Sequence, residues 1–130
     1  MALTTEDRLA IEEVLHRYCH CIDRGLWDEF PTLFTDDAKL DFGQTMGVHE
    51  GRAGVATFGD MLKNLGLFMR HYNTNFVMRG GSAHAYVHSY VLAFTGAPGN
   101  VTPTTGFYED ELVKVGGRWL LRSRRASIER

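Results

Sequence analysis

Asp23 and His71 are the side chains on which chemistry would rest. Asp23 closes an amphipathic run from Leu9 (LAIEEVLHRYCHCID), and His71 stands in Arg70-His71-Tyr72-Asn73-Thr74-Asn75, at the opening of a strand-like stretch. A carboxylate that orients an imidazole makes a proton-transfer catalyst that works near neutral pH. Each residue also has a plain structural reading. His71 could be a hydrogen-bonded structural histidine, and Asp23 a helix-terminal acid beside Arg24. A carboxylate at a helix C-terminus opposes the macrodipole, however, so the helix gives Asp23 no reason to be there. Tyr18 falls on the apolar stripe of the same helix, where a core tyrosine with a satisfied hydroxyl is the simpler account. Arg124 lies on the terminal strand candidate, where a surface arginine is the commoner finding.

Other chemistries find little support. His16 and His20 are four apart on one helix face, a permissible spacing for two metal ligands, but no HExxH and no third ligand accompany them. His84 and His88 are four apart on a strand, roughly 13 Å by the strand rise and too far for one ion. No metal is expected. No GxSxG and no Cys-His arrangement points to a nucleophile. Gly80-Gly81 and Gly116-Gly117 read as hairpin turns and not as phosphate loops.

The elements that must position these groups follow from periodicity. Thr4 or Thr5 can cap a first helix, with Glu6 and Asp7 in its first turn. Ile11, Val14, Leu15, Tyr18 and Ile22 form one apolar stripe, and Gly25 ends the helix. Leu26 to Phe34 reads as a second short helix, distorted at Pro31. Ala38 to Phe42 alternates as a strand. Val48 to Arg52 reads as a turn into a third helix, about Ala53 to Asn64. Strands are expected at Phe68 to Met78, Ala83 to Phe94, Thr105 to Val115 and Arg118 to Ile128. Helices first and strands after give α+β with a curved, mostly antiparallel sheet wrapped around the helices. Parity puts Ala83, Ala85, Val87, Ser89 and Val91 on one face of a strand, against helices or a pocket. His84, Tyr86, His88, Tyr90 and Leu92 share the other face, which suits a wet dimer interface. Thr104, Gly106, Tyr108, Asp110 and Leu112 likewise share a face. The basic cluster Arg118, Arg122, Arg124 and Arg125 reads as the half-exposed edge of a strand.

Composition bounds the rest. The chain of 130 residues suits one domain, 1–130, and 44% hydrophobic residues suffice for a core. A net charge of -2 argues against a nucleic-acid surface. Cys19 and Cys21 point about 200° apart on a helix and cannot pair with each other. No signal peptide and no apolar run of the roughly 20 residues needed to span a membrane are visible. A cytoplasmic protein without membrane contact is the expectation.

The helix ending in Asp23, the phrase Phe34-Thr35-Asp36-Asp37-Ala38, and the ending Gly106-Phe107-Tyr108-Glu109-Asp110 with Gly117-Arg118-Trp119-Leu120-Leu121-Arg122-Ser123-Arg124 together resemble the SnoaL-like branch of the NTF2-like superfamily. The resemblance spans nearly the whole chain and implies that superfamily's cone. It places Gly106 and Tyr108 on the pocket side. Asp23 and His71 match the positions of the aspartate and histidine in its Asp-His lyases: hexachlorocyclohexane dehydrochlorinase, bile-acid 7α-dehydratase and scytalone dehydratase. Tyr18 matches the tyrosine of the bile-acid dehydratase, and Arg124 the pocket arginine of the dehydrochlorinase. The chain ends six residues after Arg124, where those enzymes continue with a segment that helps close the pocket, so a more open or partner-covered site is expected.

The resulting expectation is a lyase or isomerase acting on a small hydrophobic alicyclic or polycyclic substrate, with no cofactor. His71 would remove a proton from carbon, Asp23 would hold the imidazole's tautomer, and Tyr18 and Arg124 would donate to the developing oxyanion or departing group. Trp27, Phe42, Phe58, Met61, Phe68, Ser89, Val91, Gly106 and Tyr108 would line the pocket. A homodimer is the expected assembly. Two alternatives stand beside this reading. One is a non-catalytic domain of the same fold that binds a hydrophobic ligand or serves assembly. The other is the small subunit of a ring-hydroxylating dioxygenase, which would co-purify with a large iron-containing subunit.

Overall fold

The computed structural model describes residues 2–129. Helix α1 spans Thr5–Arg24. Its start is fixed twice. The Thr4 hydroxyl accepts from the Asp7 backbone N–H at 3.0 Å, and the Asp7 carboxylate accepts from the Thr4 N–H at 3.3 Å. Asp7 also accepts from Trp119 Nε1 at 3.1 Å and Lys114 Nζ at 3.2 Å, which ties the start of the helix to the far end of the sheet. Ile11, Leu15, Tyr18 and Ile22 are buried along one stripe. Gly25 ends the helix at φ 68°, a left-handed conformation that costs glycine little.

A four-residue 3-10 turn, Phe30–Leu33, follows in place of the longer helix expected over Leu26 to Phe34. Pro31 sits in its first turn, and Phe34 is already extended, so no α-helical ladder can form. Strand β1 is Phe34–Asp41, four residues earlier in its start than expected. The segment read as a turn before the third helix contains a one-turn helix α2, Gly43–Met46, and a short strand β2, Val48–Glu50. Helix α3, Gly51–Leu65, buries Val55, Phe58, Gly59 and Leu62. Four long strands complete the chain: β3 Phe68–Gly80, β4 His84–Ala97, β5 Asn100–Val115 and β6 Arg118–Glu129.

The six strands form one curved, unclosed sheet in the order β2-β1-β6-β5-β4-β3. Every pairing is antiparallel except β1 with β6. The architecture is therefore α+β, with α1 packed on β3 and β6 and α3 on β1. The expected parity of β4 is seen: Ala85, Val87, Ser89 and Val91 are buried toward the helices, while His88, Tyr90 and Leu92 are exposed. The basic cluster is half-exposed as expected except at one residue. In β6, which runs between β1 and β5, Arg118, Arg122 and Arg125 are exposed, but Arg124 is 1% exposed and not a surface arginine.

Candidate active site

The last turn of α1 delivers Asp23 to the second inward-facing level of β3. Alternation along that strand turns Met69, His71 and Asn73 toward α1, and the Asp23 carboxylate grips His71 at two points. The His71 backbone N–H donates to Oδ2 at 2.7 Å, and the ring Nδ1 lies 2.6 Å from Oδ1. A carboxylate only accepts, so Nδ1 carries the proton and the lone pair of the neutral ring is left on Nε2. Side-chain exposure is 13% for His71 and 6% for Asp23, so both sides of the pair are shielded from water. An acid poorly placed for its own helix is thereby matched to a donor pair on a strand.

His71 stands in a wall between two spaces. On one side is an apolar cavity of about 210 Å³ between the helices and the sheet. Tyr18, Phe42, Phe58, Val91 and Tyr108 line it, with the exposed Leu65 and Leu67 at its edge. On the other side is a polar cleft between α1 and β3, of about 630 Å³. His71 borders both, whereas Asp23 borders the cleft and is not among the cavity's walls.

Behind the cavity lies a charged layer that the sequence did not disclose. Arg124 Nε and Nη2 donate to the two Asp110 oxygens, each at 2.8 Å, and both side chains have no exposed surface. The guanidinium stacks on Tyr108 at 3.8 Å and on Tyr18 at 4.2 Å from the ring centroids. Asn73 holds the assembly from below: its Oδ1 lies 3.5 Å from Arg124 Nη2, and its Nδ2 donates to Ser89 Oγ and the Tyr90 carbonyl at 2.8 and 2.9 Å. Arg124 Nη1 is buried without a partner among the described residues. Burial disfavours the guanidinium's charge, but Asp110 outweighs it and raises the arginine's pKa. Burial likewise holds the Tyr18 and Tyr108 hydroxyls well above the usual phenol range, so both stay protonated donors. Cys19 and Cys21 are free and buried, and burial pushes both thiols up to about 11.

The structure sorts the expected site residues. Tyr18, Phe42, Phe58, His71, Val91 and Tyr108 do line the cavity. Arg124 does not: it is sealed behind the two tyrosine rings with two of its nitrogens taken by Asp110, so it has no direct reach to a ligand. Trp27 lies in the turn before the 3-10 segment and packs on Phe30 and Gly59, bordering a separate surface hollow. Met61 sits beside the Val55-Phe58-Leu62 stripe and is 38% exposed. Phe68 is out of phase with Met69 and His71 and is covered by the Arg70 guanidinium at 5.3 Å. Ser89 is claimed by Asn73. Gly106 is not a wall either, because a Cβ there would lie 2.3 Å from the Ser127 carbonyl oxygen. Asp110 and Asn73 were missed as site residues. Asp110 shares its expected face with Tyr108, which was the available signal. Among the described residues no group of three or more His, Cys, Asp or Glu is placed to hold a metal ion, and no helix is long and apolar enough to cross a membrane.

Similar proteins share the fold. A structure from Nostoc punctiforme, of unknown function and with a cystatin-like fold, superposes with a TM-score of 0.87 at 23% identity, covering 99% of this chain and 96% of that one. A protein from Novosphingobium aromaticivorans assigned as a scytalone dehydratase gives a TM-score of 0.81 at 25% identity, over 95% and 85% of the two chains. The crystal structure of LinA gives 0.85 at 19% identity, over 96% and 87%. The likenesses under 25% identity concern the fold alone. No curated protein matches the chain. The sequence profile of the SnoaL-like domain matches residues 3–125. The chain belongs to the SnoaL-like family, within the NTF2-like fold.

Proposed function

We propose that this protein removes a proton from carbon in a small, neutral, hydrophobic ring compound, as a lyase or isomerase. The observation that carries the reading is the His71–Asp23 pair, held at 2.6 Å with His71 in the wall of an apolar cavity. In the proposed step, His71 Nε2 takes the proton from a carbon next to a carbonyl or leaving group. The electron pair of the broken C–H bond expels that group or shifts the double bond. Asp23 stabilises the imidazolium and holds its orientation. Tyr18 and Tyr108 donate toward the oxygen or departing group where negative charge grows. Arg124 supports this from behind, through its stacking on both rings. The scheme calls on no cofactor.

The cavity also bears on substrate size. A dry cavity of about 150 Å³ holds one benzene ring. A space of about 210 Å³ therefore favours a monocycle with short substituents or a small fused bicycle over a larger polycycle. The Novosphingobium relative is consistent with such chemistry, since it is assigned as a dehydratase.

A generic carbon acid tests the base without knowledge of the natural substrate. 5-Nitrobenzisoxazole is a neutral bicycle; loss of its ring C–H proton breaks the N–O bond and gives a coloured cyanophenolate. Wild-type protein should accelerate this opening, and His71→Ala should lose about 10²–10⁴-fold, the usual contribution of a general base. Asp23→Asn should fold and yet turn over slowly, because the imidazole is held in the wrong tautomer. If wild type and His71→Ala open the ring at the same rate, the base assignment is wrong. The exposed apolar edge formed by Leu65 and Leu67 then favours a second reading, a carrier that binds a hydrophobic ligand without converting it.

A further inference from the structure

We infer that Thr104 and Ala93 select the ligand of the apolar cavity. The ring lies on the Ala93 methyl, with one carbon against His71, and an oxygen substituent on its far side bonds to the Thr104 hydroxyl. This rests on the reading that the substrate lies against His71 and narrows its class: a monocycle with a hydroxyl or carbonyl group on the side away from the carbon that loses its proton.

The register of the sheet carries the inference. His71 of β3 pairs with Ala93 of β4, and Ala93 pairs with Thr104 of β5. The three stand in one row across the sheet, and all three line the cavity. The His71 N–H goes to Asp23 and not to β4, so His71–Ala93 is the close, non-hydrogen-bonded kind of pair and Ala93–Thr104 the wide kind. One spacing of each kind puts His71 and Thr104 about 10 Å apart at Cα. The neighbouring inward positions of β4 are the bulkier Val91 and Thr95, so the floor is lowest at Ala93. A gap of that width, floored by a methyl, has room for a six-membered ring with a contact on either side.

The hydroxyls of the lining differ in what engages them. Thr45 Oγ1 donates to the Phe42 carbonyl at 2.7 Å. Thr105, next to Thr104 but on the outer face, donates to the Glu129 carbonyl at 3.1 Å. The Thr104 hydroxyl has no hydrogen-bond partner among the described residues. Thr95 lines the cavity too, but it pairs with Met69, one inward level beyond His71. Tyr108 lies two inward levels to the other side, toward Arg124. A few placed polar groups in an apolar lining fix a ligand's orientation. A hydroxyl can donate to a carbonyl or accept from an alcohol, so Thr104 suits either substituent. No lysine or arginine is among the cavity's described walls, so a carboxylate in that place would be buried without a counter-charge.

The probes are p-cresol and p-xylene, which have one shape and differ by a hydroxyl in place of a methyl. Each is titrated into the full chain and followed by two-dimensional amide NMR and calorimetry. Both should shift the amides of Ala93 and Thr104. Thr104→Val keeps the β-branched shape of the residue. It should weaken p-cresol binding about three- to tenfold, the effect of one hydrogen bond, and leave p-xylene unchanged. Ala93→Leu should weaken both probes about tenfold or more, because the added carbons occupy the place of the ring, while amide dispersion shows that the variant folds. Equal p-cresol affinity in Thr104→Val and wild type would overturn the assignment. So would a loss shared by both probes in Thr104→Val, or a selective loss of p-cresol that appears in Thr95→Val or Tyr108→Phe instead. Undiminished binding of both probes by Ala93→Leu would overturn the placement of the ring. These affinities are measured without turnover, so a failure of the base, read from the opening of 5-nitrobenzisoxazole, is distinguished from a failure of Thr104 and Ala93.

Discussion

A guanidinium without exposed surface is held by a single carboxylate, and that makes Asp110 the residue whose loss should be felt most. Removing one member of a buried ion pair strands the other, at a cost of about 3–5 kcal/mol. Asp110→Ala should show this in urea unfolding, whereas a joint change of Asp110 and Arg124 to leucines should recover much of it. Retention of wild-type stability by Asp110→Ala would mean that Arg124 finds another partner. At the other end of the molecule Asp7 is lowered from an ordinary value of 3.8 to about 2, by Trp119 first, then Thr4 and Lys114, with burial opposing. A depressed carboxylate contributes stability that is present above its unfolded pKa and lost as pH falls through the folded one. The loss should therefore lie between about pH 4 and pH 2, and Asp7→Asn should flatten that part of the acid-unfolding curve.

At the scale of elements, the β5–β6 hairpin decides whether Asp110 and Arg124 meet. Next to the Gly116-Gly117 turn, Val115 opposes Arg118 and Leu112 opposes Leu121, so partner numbers sum to 233. A bulge between Glu111 and Leu112 raises the sum to 234, and Asp110 then opposes Arg124. Without that extra residue Arg124 would oppose Glu109 and face outward with it. This explains what was legible in the sequence. The parity of β4 could be read because its inner face is uniform over Ala85, Val87, Ser89 and Val91. A helix end and a strand start, which periodicity marks well, gave the places of Asp23 and His71, while their meeting was what the resemblance to the Asp-His lyases implied. The face of Arg124 could not be read, because a bulge leaves no compositional mark and reverses every side chain beyond it. Met61 and Phe68 miss the cavity by one step of phase, beside Leu62 and Met69, and Trp27 misses it because it lies in a turn against a separate hollow. The same hairpin region gives a sharp test at Gly106, where an added Cβ would meet the Ser127 carbonyl oxygen at 2.3 Å. Gly106→Ala should cost about 1–3 kcal/mol by thermal unfolding, as overpacking does; a neutral result would show that β5 and β6 can part there.

At the scale of the molecule, the outer face of the sheet remains uncovered. Tyr72 at 48%, Val77 at 71% and Tyr90 at 62% exposure stand there together. His84 and His88 pair with Glu111 and Glu109 on the same side. An apolar row beside polar His-Glu pairs can meet a copy of itself about a twofold axis. Light scattering at micromolar concentration should therefore report a homodimer, and charged substitutions at Tyr86 and Tyr90 should split it. A monomer in wild type, or a dimer indifferent to those changes, would remove the idea.

The two thiols of α1 give the fold a clock of its own. Alkylating reagents attack the thiolate, and Cys19 and Cys21 are 5% and 0% exposed with their ionisation pushed up to about 11. In the native protein both should resist labelling at neutral pH. Cys19 borders the polar cleft, so it should be labelled whenever α1 lifts from β3, whereas Cys21 waits for the core to open. Timed alkylation followed by mass spectrometry would then separate the breathing of the helix that carries Asp23 from unfolding of the whole chain, with no label added by design.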